Sequence, residues 1–182
     1  MTGPALVEEI LALFGDYGAR AYGGERVTQL DHALQSAWCA KEDGAGDELI
    51  AAALLHDVGH LLAGRYLAAE GVDDVHERAG ADYLASQFSA RVTEPVRLHV
   101  AAKRYLCAVE PTYADALSDG SVLSLKLQGG PMSATEVAAF EAERFSGDAV
   151  RLRRYDDDAK RPDATMPALS DYRPLLTSLV GA

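Results

Sequence analysis

Apolar residues recur every three or four positions along most of the chain, whereas alternation of apolar and polar residues over five or more positions is hard to find. In the first such stretch, residues 5–17, the side chains of Leu6, Ile10, Leu13 and Phe14 fall on one face of a helix. Because a period near 3.6 residues is typical of amphipathic helices, we expect an all-α fold.

Capping and breaking residues divide this pattern into about eight helices. Pro95 lies in the first turn of the fifth helix, and a Ser133-to-Glu136 capping box opens the seventh. The approximate bounds are 5–17, 25–42, 47–59, 75–87, 93–109, 113–127, 133–146 and 148–160, with a poorly periodic connection at 64–74. The tail from residue 161 carries three prolines and is predicted to be irregular. We therefore expect one domain over 1–182, with a helical core at 1–160 and a tail at 161–182 packed on its surface.

Composition narrows the class of protein. The 182 residues are 48% apolar and 25% charged, which is typical of a globular domain, and the net charge is −11. Lysine and arginine form no cluster that could follow a phosphate backbone, so nucleic acid is not an expected partner. The N-terminus has no secretory pattern and the apolar run 50–55 is too short to span a membrane, so we expect a cytoplasmic protein without a membrane partner. Cys39 and Cys107 are expected to be free thiols, and homo-oligomerisation is left open.

The adjacent pair His56-Asp57, at the end of an apolar run, is the strongest indication of chemistry. Imidazole and carboxylate both bind iron, and consecutive helical residues diverge by about 100°, so the pair can serve two ions or bridge them. The chain has five histidines, and each lies in or beside a predicted helix: His32, His56, His60, His76 and His99. A lone buried histidine is more often structural, but four consecutive helices that each supply an imidazole favour a metal site inside a bundle.

These motifs resemble the HD-domain superfamily over most of the chain. The resemblance rests on His32 in Gln-Leu-Asp-His-Ala-Leu, on Leu-Leu-His-Asp-Val-Gly-His, and on the later His76 and His99 segments. A late aspartate must come from residues 156–158, and Asp156 is favoured because an aromatic precedes it and a lysine follows four residues later. The resemblance implies one HD-domain bundle around a dinuclear site, with the metal ligands His32, His56, Asp57, His76, His99 and Asp156.

Most members of this superfamily are phosphohydrolases, and a smaller branch uses a mixed-valence pair of iron ions with dioxygen. Tyr22 and Glu25 lie just before the helix of His32. Phosphonate-cleaving oxygenases of the smaller branch carry a Tyr and a Glu at these offsets, where they guard an open iron position. The resemblance therefore implies catalytic roles for both residues, against the plainer interpretation of a loop aromatic and a solvated carboxylate.

Several candidate anion-binding groups lie one helical turn from a ligand. His60 follows His56 by four residues, Lys103 follows His99 by four, and Arg153 precedes Asp156 by three. Each pair shares a helix face, although such Lys and Arg side chains more often form surface salt bridges. Ser121 and Gln128 share a face in a segment that is typical of the phosphonate branch. In that family, residues at these positions bind the substrate: His60, Lys103, Ser121, Gln128 and Arg153, with Glu25 facing its ammonium end.

The resemblance implies a dioxygenase of phosphonate catabolism, with two iron ions, Fe(II)/Fe(III), as cofactor and dioxygen as co-substrate. Its expected substrate is (R)-1-hydroxy-2-aminoethylphosphonate, with a free or N-trimethylated amine, cleaved to phosphate plus glycine or glycine betaine. One alternative is a metal-dependent phosphohydrolase acting on a nucleotide or phosphomonoester, which shares the six ligands but gives no reason for Tyr22 and Glu25. Another is a sensor or scaffold with a degenerate site, against which the intact ligand set argues.

Overall fold

The computed structural model describes residues 3–22, 25–63 and 75–181, and these form an all-α fold, as predicted. Within these ranges the only β contact is an isolated bridge between Ala21 and Thr28. Residues 23 and 24, just before the second predicted helix, and the connection at 64–74 lie outside the described residues. The helices are α1 (Gly3–Tyr17), α2 (Gln29–Glu42), α3 (Asp47–Leu55), α4 (Val58–Ala63), α5 (His76–Leu84), α6 (Ala90–Val109), α7 (Asp119–Leu127), α8 (Ala134–Glu141), α9 (Ser146–Asp158) and α10 (Arg173–Leu179), with short 3-10 helices at Ala114–Ala116 and Leu169–Tyr172.

The third predicted helix is divided at the His56-Asp57 pair. α3 ends at Leu55 and α4 begins at Val58, so the pair forms the junction between two helices. α4 packs closely on the start of α5, because a Cβ atom on Gly59 would lie 2.1 Å from the carbonyl oxygen of His76. The prediction of one continuous helix was wrong, because the periodicity of the sequence carries no information about this contact between helices.

Side-chain caps set the start of several helices. The Thr28 hydroxyl accepts a hydrogen bond from the Asp31 N–H, and the Asp31 carboxylate accepts one from the Thr28 N–H, both at 3.1 Å. This capping box starts α2 at Gln29, four residues later than predicted. The predicted box at Ser133 is confirmed at the start of α8.

The C-terminal tail is helical over Leu169–Tyr172 and Arg173–Leu179, although it was predicted to be irregular throughout. Pro174 lies in the first turn of α10, where a backbone without an N–H is tolerated. Tyr172 and Leu176 are buried in the main hydrophobic core, and α10 packs against α1 and α3. The tail therefore completes the core rather than covering its surface.

α3 lies at the centre of the bundle. Its residues 49–55 are all buried, and the helix packs against α2, α6, α9 and α10. Three consecutive alanines, Ala51 to Ala53, are fully buried, and such small side chains let neighbouring helices approach closely. No helix of the described residues is long and apolar enough to cross a membrane.

Candidate metal centre

Five parts of the bundle bring six potential metal ligands together. α2 carries His32, the α3–α4 junction carries His56 and Asp57, and α5, α6 and α9 carry the others. All six side chains are buried among the helices: His32, His56, Asp57, His76, His99 and Asp156. The structure therefore places in one cluster the residues that the sequence assigned to separate helices.

The first half of the cluster lies between α2, α9 and the α3–α4 junction. The Nε2 atoms of His32 and His56 are 3.1 Å apart. Asp156 Oδ1 lies 3.4 Å from His32 Nε2, and Asp57 Oδ2 lies 3.4 Å from His56 Nε2. Each of the two imidazole nitrogens thus lies 3.4 Å from a carboxylate oxygen.

The second half of the cluster lies at α5 and α6. The Nε2 atoms of His76 and His99 are 3.2 Å apart. Asp57 Oδ1 lies 3.3 Å from His76 Nε2 and 3.6 Å from His99 Nε2. Asp57 therefore turns one oxygen toward each histidine pair, which is the arrangement of a carboxylate that bridges two ions.

The orientation of the imidazoles fits a metal ion. The Nδ1 atoms of His32, His56 and His99 lie 2.7–2.9 Å from the backbone carbonyl oxygens of Ala159, Ala53 and Val96. A carbonyl can only accept, so each Nδ1 carries the hydrogen and each Nε2 offers its lone pair to the cluster. Lone pairs that face each other at 3.1 Å repel unless a cation lies between them.

The spacing and the carboxylate oxygens also fit. Two neighbouring ligands bound at about 2.1 Å and at right angles are about 3.0 Å apart, close to the distances above. Among the described residues, Asp57 Oδ2 and Asp156 Oδ1 are buried without a hydrogen-bond partner. A buried carboxylate oxygen in this state is costly unless it binds a cation, so the donor set suits a metal pair.

Electrostatics keeps the two carboxylates of the cluster ionised. Burial alone would raise the pKa of Asp57, but the neighbouring His56 lowers it well below the usual range, and Asp57 in turn raises the pKa of His56 against the effect of burial. Burial likewise opposes ionisation of Asp156, and the Arg153 guanidinium overcomes it, so that this pKa is also lowered. Burial and the neighbouring His76 lower the pKa of His99. Carboxylates are thus ionised and His99 is neutral at neutral pH.

The two candidate catalytic residues lie at the α2 side of the cluster. The Tyr22 ring stacks on the His32 ring, with centroids 3.8 Å apart and an interplanar angle of 16°. The Glu25 N–H donates a hydrogen bond of 2.6 Å to the Tyr22 carbonyl, and the Glu25 side chain is partly buried. Tyr22 therefore contacts a candidate ligand directly, and Glu25 is tied to it through the backbone.

Basic and hydroxyl side chains form a polar group beside the cluster. Lys103 is buried and donates a hydrogen bond of 2.7 Å to Ser124 Oγ. Arg153 donates to Asp156 Oδ2 at 2.6 Å and to Ser121 Oγ at 3.3 Å. Burial lowers the pKa of Lys103 to about 7, and the Arg153 charge adds to this effect. An anion beside Lys103 would restore its positive charge.

The remaining candidates occupy different surroundings. The His60 ring stacks on the His76 ring with centroids 3.9 Å apart. His60, His76 and Asp57 also lie close enough together to hold a metal ion. Gln128 ends α7, and its Oε1 is buried without a hydrogen-bond partner in the described ranges. None of the described contacts links Gln128 to Lys103 or Arg153.

The structure separates the three consecutive aspartates of α9. Asp156 faces His32, Asp157 forms a short ion pair with Arg153, and Asp158 is exposed. This placement agrees with the choice of Asp156 from the sequence.

Three residues of the polar group were not among the predicted site residues. Lys160 Nζ lies 3.1 Å from Ser121 Oγ, and the Tyr113 hydroxyl accepts a hydrogen bond of 3.0 Å from Arg153 Nε. Ser124 accepts from Lys103. Lys160 and Ser124 lie one turn from Asp156 and Ser121, so the spacing used for the other candidates could have found them. Tyr113 lies in the segment before α7, where no sequence period points to it.

Comparisons with known proteins place the chain among phosphonate enzymes. No protein-family model matches it. A 1-hydroxy-2-(trimethylamino)ethylphosphonate dioxygenase (glycine-betaine-forming) of Leisingera caerulea is 42% identical over 177 residues, which cover 96% of this chain and 90% of that protein. A hydroxymethylphosphonate dioxygenase of Gimesia maris is 47% identical over 171 residues, which cover 91% and 84%. An uncharacterized protein of Acanthamoeba polyphaga mimivirus is 34% identical over 175 residues, which cover 93% and 80%. The chain therefore belongs to the family of phosphonate dioxygenases.

Proposed function

We propose that the protein is a diiron dioxygenase of the HD-domain type that cleaves the carbon–phosphorus bond of a 1-hydroxyalkylphosphonate. The substrate expected from the sequence is (R)-1-hydroxy-2-aminoethylphosphonate, with a free or N-trimethylated amine. One dioxygen molecule is consumed, the C–P and C–H bonds at the hydroxyl-bearing carbon break, and that carbon becomes a carboxylate. Phosphorus leaves as inorganic phosphate, and the substrate supplies all four electrons that reduce dioxygen.

The observation that carries this proposal is the position of Asp57 between two histidine pairs. His32, His56, Asp57 and Asp156 would hold one iron ion, and His76, His99 and Asp57 would hold the other. Bound iron would supply the electron transfer to dioxygen that no side chain of this site can perform. A pair of ions held by six buried ligands supports oxidative chemistry as well as hydrolysis, and the family relationship favours the oxidative reaction.

The residues around the two ions would bind and orient the substrate. Lys103, Arg153 and Ser121 lie where charge-assisted hydrogen bonds to phosphonate oxygens can form. His60, at the second histidine pair, and Gln128 add further polar contacts to the phosphonate. Tyr22 covers the open side of His32, and Glu25 faces the ammonium end of the substrate.

The two named relatives share a chemical group rather than a whole substrate. Both act on a phosphonate with a hydroxyl on the carbon that bears phosphorus, and only the name of the first includes an amine. This shared 1-hydroxyphosphonate is the part of the substrate that the basic and hydroxyl side chains beside the cluster, together with the two ions, would bind. We therefore assign the 1-hydroxyphosphonate to the centre of the site and the amine to its periphery at Glu25.

A substrate panel tests the proposal. Iron-loaded, partly reduced protein is assayed for phosphate release with 1-hydroxy-2-aminoethylphosphonate, its N-trimethyl derivative, hydroxymethylphosphonate and a phosphomonoester, with and without oxygen. We expect oxygen-dependent release from at least one phosphonate, and a mixed-valence electron paramagnetic resonance signal that changes when it binds. Release of phosphate from the phosphomonoester without oxygen, and from no phosphonate, would instead favour hydrolysis.

A variant at Glu25 tests the amine end separately. Glu25→Gln removes the negative charge, so the KM for the two amine-bearing phosphonates should rise about 10-fold or more. Hydroxymethylphosphonate has no amine, so its KM should match the wild-type value, whatever the change in kcat. Equal effects on all three phosphonates would contradict the placement of the amine at Glu25.

A further inference from the structure

Gln35 holds the segment that follows α9 with a pair of partly buried hydrogen bonds. Its side chain is 4% exposed. Gln35 Nε2 donates to the Arg161 carbonyl at 3.0 Å, and the Arg161 N–H donates to Gln35 Oε1 at 2.9 Å. The amide therefore pairs with the backbone of Arg161 as a neighbouring strand would.

A second side chain of α2 holds the same segment. Gln35 lies three residues after His32, so both project from one face of the helix. His32 Nδ1 donates to the carbonyl of Ala159 at 2.9 Å, and Ala159 is fully buried. α2 therefore contacts residues 159 and 161 from adjacent turns, and Asp156 lies just before them on α9.

Lys160 lies between these two fixed residues. Its Nζ atom is 3.1 Å from Ser121 Oγ and 3.4 Å from Ser118 Oγ. Ser121 Oγ also accepts a hydrogen bond from Arg153. Because a lysine side chain is long and flexible, the direction it takes depends on how its backbone is held.

We propose that Gln35 is a positioning residue of the active site, which fixes the backbone at 159–161. In this position the Ala159 carbonyl keeps the Nε2 lone pair of His32 directed at the cluster, and Lys160 reaches Ser121. Gln35 would thus act on one histidine pair, that of His32 and His56, and on the phosphonate side of the site. In the other pair, His99 Nδ1 donates to the carbonyl of Val96 in its own helix rather than to this segment.

The inference rests on the proposed function, and it is tested on three single variants of the full chain. Gln35→Met keeps the length of the side chain and removes both hydrogen bonds. Gln35→Glu keeps the acceptor and, when protonated, can also repeat the donor. Ser36→Ala is the matched control, because Ser36 is the next residue of α2, fully buried, and its Oγ makes no hydrogen bond within the described chain.

The first measurement is the binding of Fe(II) to metal-free protein, in anaerobic competition with a chelator. Outer contacts of a metal ligand typically contribute about 10- to 100-fold to affinity, so Gln35→Met should bind one of two Fe(II) ions about 10-fold or more weakly. The other ion should bind as in the wild type, and Ser36→Ala should match the wild type for both. Affinity of Gln35→Glu should recover toward the wild-type value as the pH falls from about 8 to about 6, where a buried glutamate protonates.

The second measurement is the steady-state kinetics on the phosphonate that the wild type converts. Gln35→Met should raise the KM about 3- to 10-fold, because Lys160 is misplaced, and this change should be larger than any change in kcat. Wild-type affinity for both ions with unchanged KM, accompanied only by a lower Tm, would overturn the inference. If Gln35→Met does not fold, a Gln35→Glu variant with wild-type affinity at every pH overturns it. Wild-type protein that binds no second Fe(II) ion overturns the proposed function and this inference together.

Discussion

Replacement of Lys103 by methionine should stabilise the protein and weaken phosphonate binding. Lys103 is 3% exposed, and its ammonium donates a hydrogen bond to Ser124. Burial lowers the pKa of Lys103 from its ordinary value of 10.5 to about 7, with a further contribution from the Arg153 charge. A charged group held here raises the free energy of the folded state, and a methionine of similar length fills the space without that charge.

The size of the effect follows from the pKa difference. The change from 10.5 to about 7 corresponds to about 5 kcal/mol at about 1.36 kcal/mol per pKa unit. This value is an upper bound, because methionine also loses the bond to Ser124, which contributes about 1.5–3 kcal/mol. We therefore expect the free energy of unfolding to rise by about 2–3 kcal/mol near neutral pH, or about 4–12 °C in Tm.

The difference in stability between wild type and variant should depend on pH. Between about pH 7 and pH 10.5, the unfolded state holds a proton on Lys103 that the folded state does not, so the stability of the wild type rises with pH across this window. Methionine has no such dependence. Its advantage should therefore be complete below about pH 7, should shrink as the pH rises, and should become a disadvantage above about pH 10.5, where only the lost bond to Ser124 remains.

Urea denaturation of wild type and variant at about pH 6.5 and about pH 9.5 measures both quantities. Lys126→Met is the matched control, because Lys126 is exposed and its replacement should change stability little at either pH. In parallel, Lys103→Met should raise the KM for the phosphonate by about 10-fold or more, as expected for a lost charge-assisted contact. A variant less stable than the wild type at the lower pH, or an advantage that does not shrink at the higher pH, would refute the reasoning.

Three further predictions concern contacts around the cluster. Gly59→Ala should lower the free energy of unfolding by about 2 kcal/mol or more, and also the iron content, because its Cβ would meet the His76 carbonyl. Gly15→Ala places its Cβ in open space and should be neutral or stabilising. Thermal melts and metal analysis compare the two variants. Tyr22→Phe should keep the wild-type affinity for iron because the ring stack on His32 remains, whereas Tyr22→Ala should change the paramagnetic resonance spectrum. Tyr113→Phe should raise the KM for the phosphonate about 3- to 10-fold, because Arg153 loses a hydrogen-bond partner. Steady-state kinetics measure this change, and an unchanged KM would contradict the prediction.

The sequence predicted well those features that depend on local periodicity. His32 and His99 lie inside helices, and the spacing of apolar residues around them is enough to place each on an inward face. The all-α fold follows from the same pattern. The choice of Asp156 as a ligand depended on the resemblance to a family, because spacing alone does not separate Asp156 from Asp157, and its role as a ligand stays a prediction.

Features set by contacts distant in sequence were not predicted. The division of the helix at His56 depends on the approach of Gly59 to His76, which are separated by a segment without clear periodicity. Pro174 lies in the first turn of helix α10, within a tail that was predicted to be irregular, and the helix is stabilised by burial of Leu176 against other helices. The cytoplasmic location and the open question of homo-oligomerisation stay at the level of prediction.

The hydrogen bonds of Arg153 distinguish its part in the site from that of the lysines. Its Nε and Nη2 atoms form a two-pronged pair with Asp157, and Nη1 donates to Asp156 Oδ2. Two carboxylates therefore already balance its single charge, and its guanidinium holds Asp156 so that Oδ1 faces His32. Within the described ranges, Lys103 and Lys160 have serine hydroxyls as their hydrogen-bond partners. In a protein of net charge −11, the local attraction for a phosphonate would then come mainly from these lysines and the proposed metal ions, with Arg153 setting the geometry of their ligand.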